Sequence, residues 1–173
     1  MVETLHVLLV EDSEDDALLV VRALCSAGFD VRSRRVAGAD TLRAALREGG
    51  WDVMITDYLM GDFTGRESLE ILAGSGLDLP AILVSGKIGE ELAVEAMRTG
   101  ARDYVMKDNL ARLGEAVRRE LDQTAVRRAR RRAERELEAA EARYRSIVED
   151  QTEMVVRWRP EGGRTFVNRA ACE

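Results

Sequence analysis

Little in this chain points outside the cell or into a membrane. Its 173 residues include two cysteines, Cys25 and Cys172, too few and too far apart to suggest a disulfide framework. No apolar run approaches the roughly 20 residues that cross a bilayer. The opening stretch, "MVETLHVLLVEDSEDD", carries neither the basic region nor the cleavage site of a secretory signal. Histidine occurs once, as His6 inside an apolar run, and no glycine-rich nucleotide site accompanies it. A histidine kinase is therefore excluded for this stretch on inventory alone. The expectation is a soluble, cytoplasmic protein.

What is present is abundant charge, unevenly placed. Through Asp108 there are 20 acidic and 11 basic side chains; from Asn109 onward there are 12 acidic and 15 basic. The change of sign marks a boundary in organisation. Apolar residues make up 46% of the chain, enough for a core in one ordinary domain plus an extension.

Before that boundary, strand and helix patterns alternate five times. "LHVLLV" is a short apolar run; "SEDDALLVVRALCSA" has helical periodicity behind Ser13, with acids in the first turn and Gly28 as its stop. "FDVRSRRVA" alternates as a more exposed strand. "GADTLRAALREGG" reads as a helix capped by Asp40 and ended by Gly49 and Gly50. "WDVMITD", "LPAILVS" and "ARDYVMK" read as strands, with the helices "GRESLEILAGSG" and "GEELAVEAMRTG" between them. Near-continuous apolar strands mean burial on both faces, hence a parallel sheet covered by helices on both sides.

After the boundary the period changes. Residues 109–150 read as one long helix without proline, its apolar stripe running from Leu110 to Ile147 at a mean step of about 3.7 residues. The stripe is thin and rich in alanine, and so polar a helix of that length is expected to pair with another in a coiled coil. The tail "EMVVRWRPEGGRTFVNRAACE" contains two strand-like runs around Pro160-Glu161-Gly162-Gly163, a hairpin signal.

Chemistry gathers at the strand ends. The first strand runs into Glu11-Asp12, the third ends at Asp57, the fourth at Ser85 and the fifth at Lys107. In a doubly wound parallel sheet these ends share one edge, beside the topological switch point. Taken singly each has a bland reading: Glu11-Asp12 and Asp57 as helix or turn caps, Ser85 as loop chemistry, Lys107 as a solvated charge. Their joint placement at successive strand ends favours a site. Carboxylates so close repel one another unless one is protonated or a cation sits between them. Oxygen ligands with room for water suit Mg²⁺. With Lys107 and Ser85 opposite, the set suits phosphoryl transfer, with Asp57 as nucleophile.

"HVLLVEDSEDD", "ITDYLM", "AILVSG" and "ARDYVMK" together resemble the receiver domain of bacterial response regulators, over about residues 4–122. The resemblance implies a flavodoxin-like five-stranded sheet in the order 2-1-3-4-5. It implies Asp57 as phosphoacceptor, Asp12 as direct Mg²⁺ ligand, Glu11 as the second acid and the Leu59 main-chain carbonyl as a further ligand. Ser85 and Lys107 would contact the phosphoryl group, and Tyr104 holds the aromatic switch position. The phosphodonor would be a histidine kinase or phosphotransfer protein. Two departures stand out: Gly61 follows Met60 where the family often has proline, and Asp108 follows Lys107 where the family usually has a proline, often with a cis bond. The tail "RYRSIVEDQTEMVVRWRPEGGRTFVNRAACE", residues 143–173, resembles the opening of a PAS domain. The expected organisation is a receiver (residues 1–122), a signalling helix (109–150) continuous with the last receiver helix, and a PAS fragment (151–173) of a longer signalling protein.

Two other functions are weighed on the same residues. An Mg²⁺-dependent aspartyl-phosphate phosphatase would use the same acids, but the sequence offers no substrate-specificity cap and no second general acid/base near Asp57. DNA binding through "RRARRRAER" (127–135) lacks accompanying aromatics and sits in an acidic chain, so a nucleic-acid partner is not expected. The leading expectation is a non-enzymatic phosphoacceptor that forms a parallel homodimer through the long helix.

Overall fold

The computed structural model describes residues 3–86, 90–149 and 156–167. Five strands form one parallel sheet: β1 (Glu3–Val10), β2 (Phe29–Val36), β3 (Val53–Asp57), β4 (Ala81–Ser85) and β5 (Asp103–Met106), in the order β2-β1-β3-β4-β5. The helices are α1 (Glu14–Ser26), α2 (Ala39–Glu48), α3 (Gly65–Ser75), α4 (Glu90–Thr99) and α5 (Leu113–Glu149). This is the flavodoxin-like topology expected, and its physical basis is visible in β1. Alternate residues serve opposite layers: Leu8 and Val10 pack with Leu42, Leu69 and Leu83, while Val7 and Leu9 pack with Leu24, Leu113 and Val117. A strand that feeds two cores has no polar face, which is why the run "LHVLLV" is almost wholly apolar.

The chain divides into two compact units, Met1–Ala125 and Val126–Glu173, with the division inside α5. In the first unit the start of α5 is fixed by close packing. A Cβ on Gly114 would stand 2.2 Å from the Cβ of Ala27, so a side chain there would collide with the end of α1. In the second unit α5 carries exposed Val126, Leu137, Tyr144 and Ile147. A hairpin of β6 (Val156–Trp158) and β7 (Arg164–Val167) follows, antiparallel and irregular at Arg157/Trp158. The hairpin signal is thus met where residues are described; Glu153, Met154 and Val155, and the end of the chain beyond Val167, lie outside them. Among the described residues no helix is long and apolar enough to cross a membrane.

Three local expectations are corrected. Asp40 does not cap α2: the N-cap is Gly38, with no side-chain cap bond, and Asp40 lies inside the first turn. The fifth strand ends at Met106, one residue before Lys107. The long helix begins at Leu113 rather than Asn109. A 3₁₀ segment, Lys107–Arg112, precedes it, and Asn109 there has non-helical angles (φ −129°, ψ 43°) that break the continuity. The Lys107–Asp108 peptide is trans, as are all peptide bonds of the described residues. Without proline nothing offsets the roughly 2.5–4 kcal/mol that a cis bond costs.

Candidate functional site: carboxylates around Lys107

The parallel register sets the site. Val10 pairs with Thr56, so Glu11 follows β1 beside Asp57; Asp57 pairs with Val84, so Ser85 lies one residue beyond; Ser85 pairs with Met106, so Lys107 lies one beyond that. Each step is one register position along the same C-terminal edge of the sheet.

At the centre is the Lys107 ammonium. Its Nζ donates to Oδ2 of Asp57 at 2.8 Å, to Oε2 of Glu11 at 3.2 Å, and to Oδ2 of Asp16. Glu11, Asp57 and Ser85 are buried, Tyr104 is 41% exposed on the edge strand β5, and Leu59 is exposed. Burial by itself would lower the lysine's affinity for its proton. The hydrogen bonds from Asp16, Asp57 and Glu11 outweigh it and hold Lys107 well above its ordinary value. Glu11 goes the other way for a carboxylate: burial pushes its carboxyl up, against the lowering effect of the Ser13 N–H and of Lys107.

The loop after β3 is built around Asp57. Its Oδ1 accepts from the Tyr58 N–H at 2.6 Å and the Leu59 N–H at 3.4 Å. Leu59–Met60 and Phe63–Thr64 then pair as a short antiparallel ladder. Thr64 caps α3 in a reciprocal arrangement with Glu67. Gly65, which opens α3, lies against the strand end: its N–H donates to the Tyr58 carbonyl at 3.0 Å, and a Cβ there would meet the Asp57 carbonyl oxygen at 2.4 Å. Beneath this contact the fully buried hydroxyls of Thr56 and Ser68 lie 2.8 Å apart, within 3.0 Å of the Asp57 and 2.6 Å of the Gly65 carbonyl oxygens, respectively. Each hydroxyl brings one hydrogen, so three contacts share two protons.

Of the residues picked from the sequence, the structure brings Glu11, Asp57 and Lys107 into direct contact and sets Ser85 at the adjacent strand end. Asp12 lies on the turn after β1 and does not contact Lys107: it is exposed, and its Oδ2 accepts from the Gly61 N–H at 3.2 Å. Among the described residues, the acids whose oxygens converge within 4.8 Å are Glu11, Asp16 and Asp57. Sequence pattern marks Asp16 only as a first-turn helix acid, and its approach to a lysine 91 residues away leaves no trace in local pattern. Gly65 and Ser68 were missed for the same reason. Arg35 was also missed: its Nη1 donates to the main-chain carbonyls of Glu11 and Asp12, both at 3.2 Å, and holds the turn after β1.

The fold and this edge belong to a known class. The profile of the response regulator receiver domain matches residues 7–118, and the chain belongs to that family. Among curated proteins it is 31% identical over 139 residues to the transcriptional regulatory protein FixJ of Rhizobium meliloti, covering 80% of this chain and 60% of FixJ. It is 33% identical over 114 residues to protein-glutamate methylesterase/protein-glutamine glutaminase 2 of Caulobacter vibrioides, covering 65% of this chain and 33% of that protein. The chain therefore spans less than two thirds of the length of either relative. Among solved structures, a CheY-like response regulator receiver domain protein from Methanospirillum hungatei JF-1 matches with a TM-score of 0.61 at 23% identity, over 73% of this chain and 99% of that one. A response regulator receiver protein from Pseudoalteromonas atlantica matches with a TM-score of 0.59 at 25% identity, over 68% and 98%.

Proposed function

We propose that this chain is the phosphoacceptor receiver of a cytoplasmic two-component signalling protein, phosphorylated on Asp57. The observation that carries this reading is the buried Asp57 carboxylate at the end of the central strand, 2.8 Å from the Lys107 ammonium. A carboxylate oxygen of Asp57 attacks the phosphorus of a phosphohistidine on a histidine kinase or phosphotransfer protein. The phosphorus–nitrogen bond breaks, and the electron pair leaves with the imidazole. The backbone N–H groups of Tyr58 and Leu59 orient the attacking carboxylate, Lys107 balances charge on the phosphoryl oxygens, and Ser85 offers them a hydroxyl.

The donor set fits a divalent cation. Three carboxylates offer oxygens within 4.8 Å of one another, one ammonium does not balance them, and burial already disfavours the charge on Glu11. Glu11 and Asp57, with Asp12 and the Leu59 carbonyl on the flanking turns, are the residues that would hold Mg²⁺. When bound, Mg²⁺ supplies the positive charge that lets Asp57 stay ionised while a phosphoryl group approaches.

The chain acts as a phosphoacceptor rather than as an enzyme turning over an external substrate. Its signal passes from Ser85 and Tyr104 to the face built by α4, β5 and α5, and along α5 to a PAS-like output module that begins with the β6–β7 hairpin. A parallel homodimer through α5 is the form in which that helix works. The exposed Val126, Leu137, Tyr144 and Ile147 support it, since a lone helix would leave them in water.

The test is phosphorylation with acetyl phosphate, or binding of beryllofluoride, in the presence of Mg²⁺. The wild-type chain should respond and Asp57→Asn should not, because an amide neither attacks phosphorus nor contributes a charge. An acid-labile phosphoryl group gained by Asp57→Asn at the wild-type rate overturns the assignment.

A further inference from the structure

The Lys107 ammonium has three hydrogens to donate, and all three have carboxylate acceptors: Glu11, Asp57 and Asp16. The three acceptors differ in burial. The side chains of Glu11 and Asp57 are 7% and 8% exposed, whereas that of Asp16 is 35% exposed. Asp16 also belongs to a different part of the fold. It lies in the first turn of α1, where its own N–H donates to the Ser13 capping hydroxyl at 3.3 Å, so the cap fixes where its carboxylate stands. A fourth acceptor can reach the ammonium only if one of the three withdraws. Withdrawal is least unfavourable for the carboxylate that water can solvate again, and that is Asp16.

We propose that Asp16 is a positioning residue of the phosphoryl site. It holds the Lys107 ammonium against Asp57 while Asp57 is free, and it is the partner the lysine releases when a phosphoryl oxygen claims a hydrogen bond. The proposal rests on the reading of Asp57 as phosphoacceptor. It makes the first turn of α1 a second element, besides the strand ends, that senses the phosphoryl group. It also means that Asp16 favours the unphosphorylated state, since its contact is lost on modification.

The experiment follows the side-chain NMR signal of Lys107 in the whole chain, wild type against Asp16→Asn, with and without beryllofluoride and Mg²⁺. Asp15→Asn is the control: it removes the same charge from the same helical turn at an exposed residue that does not touch Lys107. Without beryllofluoride the Lys107 signal should move in Asp16→Asn and stay in place in Asp15→Asn. At saturation the wild-type and Asp16→Asn signals should coincide. The dissociation constant for beryllofluoride should tighten about two- to five-fold in Asp16→Asn, the range expected when one partly exposed ion pair no longer has to be broken, and should be unchanged in Asp15→Asn. An Lys107 signal indifferent to Asp16→Asn in the free protein overturns the proposal. So does a difference that persists at saturation, or an equal tightening in Asp15→Asn. Failure of the wild type to bind beryllofluoride overturns the Asp57 reading and the release step with it, while the comparison in the free protein still decides whether Asp16 positions the lysine.

Discussion

Replacing Gly65 with alanine tests how Asp57 is held. The added methyl would stand 2.4 Å from the Asp57 carbonyl oxygen, 2.8 Å from the Tyr58 Cα and 3.1 Å from Leu83 Cδ1. Carbon atoms pack at roughly 3.5–4.0 Å, so α3 and the end of β3 would have to separate by about 1 Å. Overpacking of this kind costs about 1–3 kcal/mol. Weakening the Gly65 N–H to Tyr58 carbonyl bond adds roughly 1 kcal/mol, and the lower chain entropy of alanine offsets about 0.4–1 kcal/mol. The net expectation is a loss of about 1–3.5 kcal/mol. With a urea slope of about 1–3 kcal/mol per molar, the midpoint falls by roughly 1 M. Because the strain lands on the peptide that carries Asp57, beryllofluoride affinity should fall as well. Gly74→Ala is the matched control: it lies in the same helix with nothing within 4 Å of its Cβ position. It should leave affinity intact and hold or slightly raise stability. A Gly65→Ala chain with wild-type midpoint and wild-type beryllofluoride affinity refutes the argument that this contact positions Asp57.

Glu11 sets a pH dependence. Burial raises its carboxyl above the ordinary 4.5, so the stability it contributes is full below the unfolded value and is lost as pH rises through the folded value. In the absence of divalent cations Glu11→Gln should therefore be more stable than wild type at neutral pH, with the gap closing toward about pH 4; urea titrations showing a constant gap across that range contradict this. In the second unit, Leu137→Glu combined with Ile147→Glu should convert a dimer to monomer and leave the circular dichroism of the receiver unchanged. Sedimentation of the wild-type chain as a monomer at tens of micromolar refutes the dimer, and interhelical distances from spin labels that fit an antiparallel pair refute its orientation.

Much of this protein was determined within short stretches of sequence. The apolar runs at Leu5–Val10, Val53–Ile55 and Ala81–Val84 read as strands covered on both faces, and helices between them impose a parallel sheet. A parallel sheet aligns all its C-terminal ends, so the sequence pattern alone places Glu11, Asp57, Ser85 and Lys107 on one edge. Ser13 is legible as the cap of α1 for the same local reason: its hydroxyl serves an N–H three residues away. Tertiary structure decided what depends on how elements pack. Asp16 and Asp12 are both acids near the end of β1, yet the turn held by Arg35 sends Asp12 toward Gly61 while the first turn of α1 sends Asp16 to Lys107. Gly65 reads from sequence as a helix-opening glycine, and only the approach of α3 to β3 makes its missing side chain a condition of the Asp57 geometry. The late start of the long helix has the same origin: periodicity runs on through Asn109, but the turn that brings Lys107 over the carboxylates uses non-helical angles there, and the helix begins only at Leu113, whose side chain is fully buried in the receiver core.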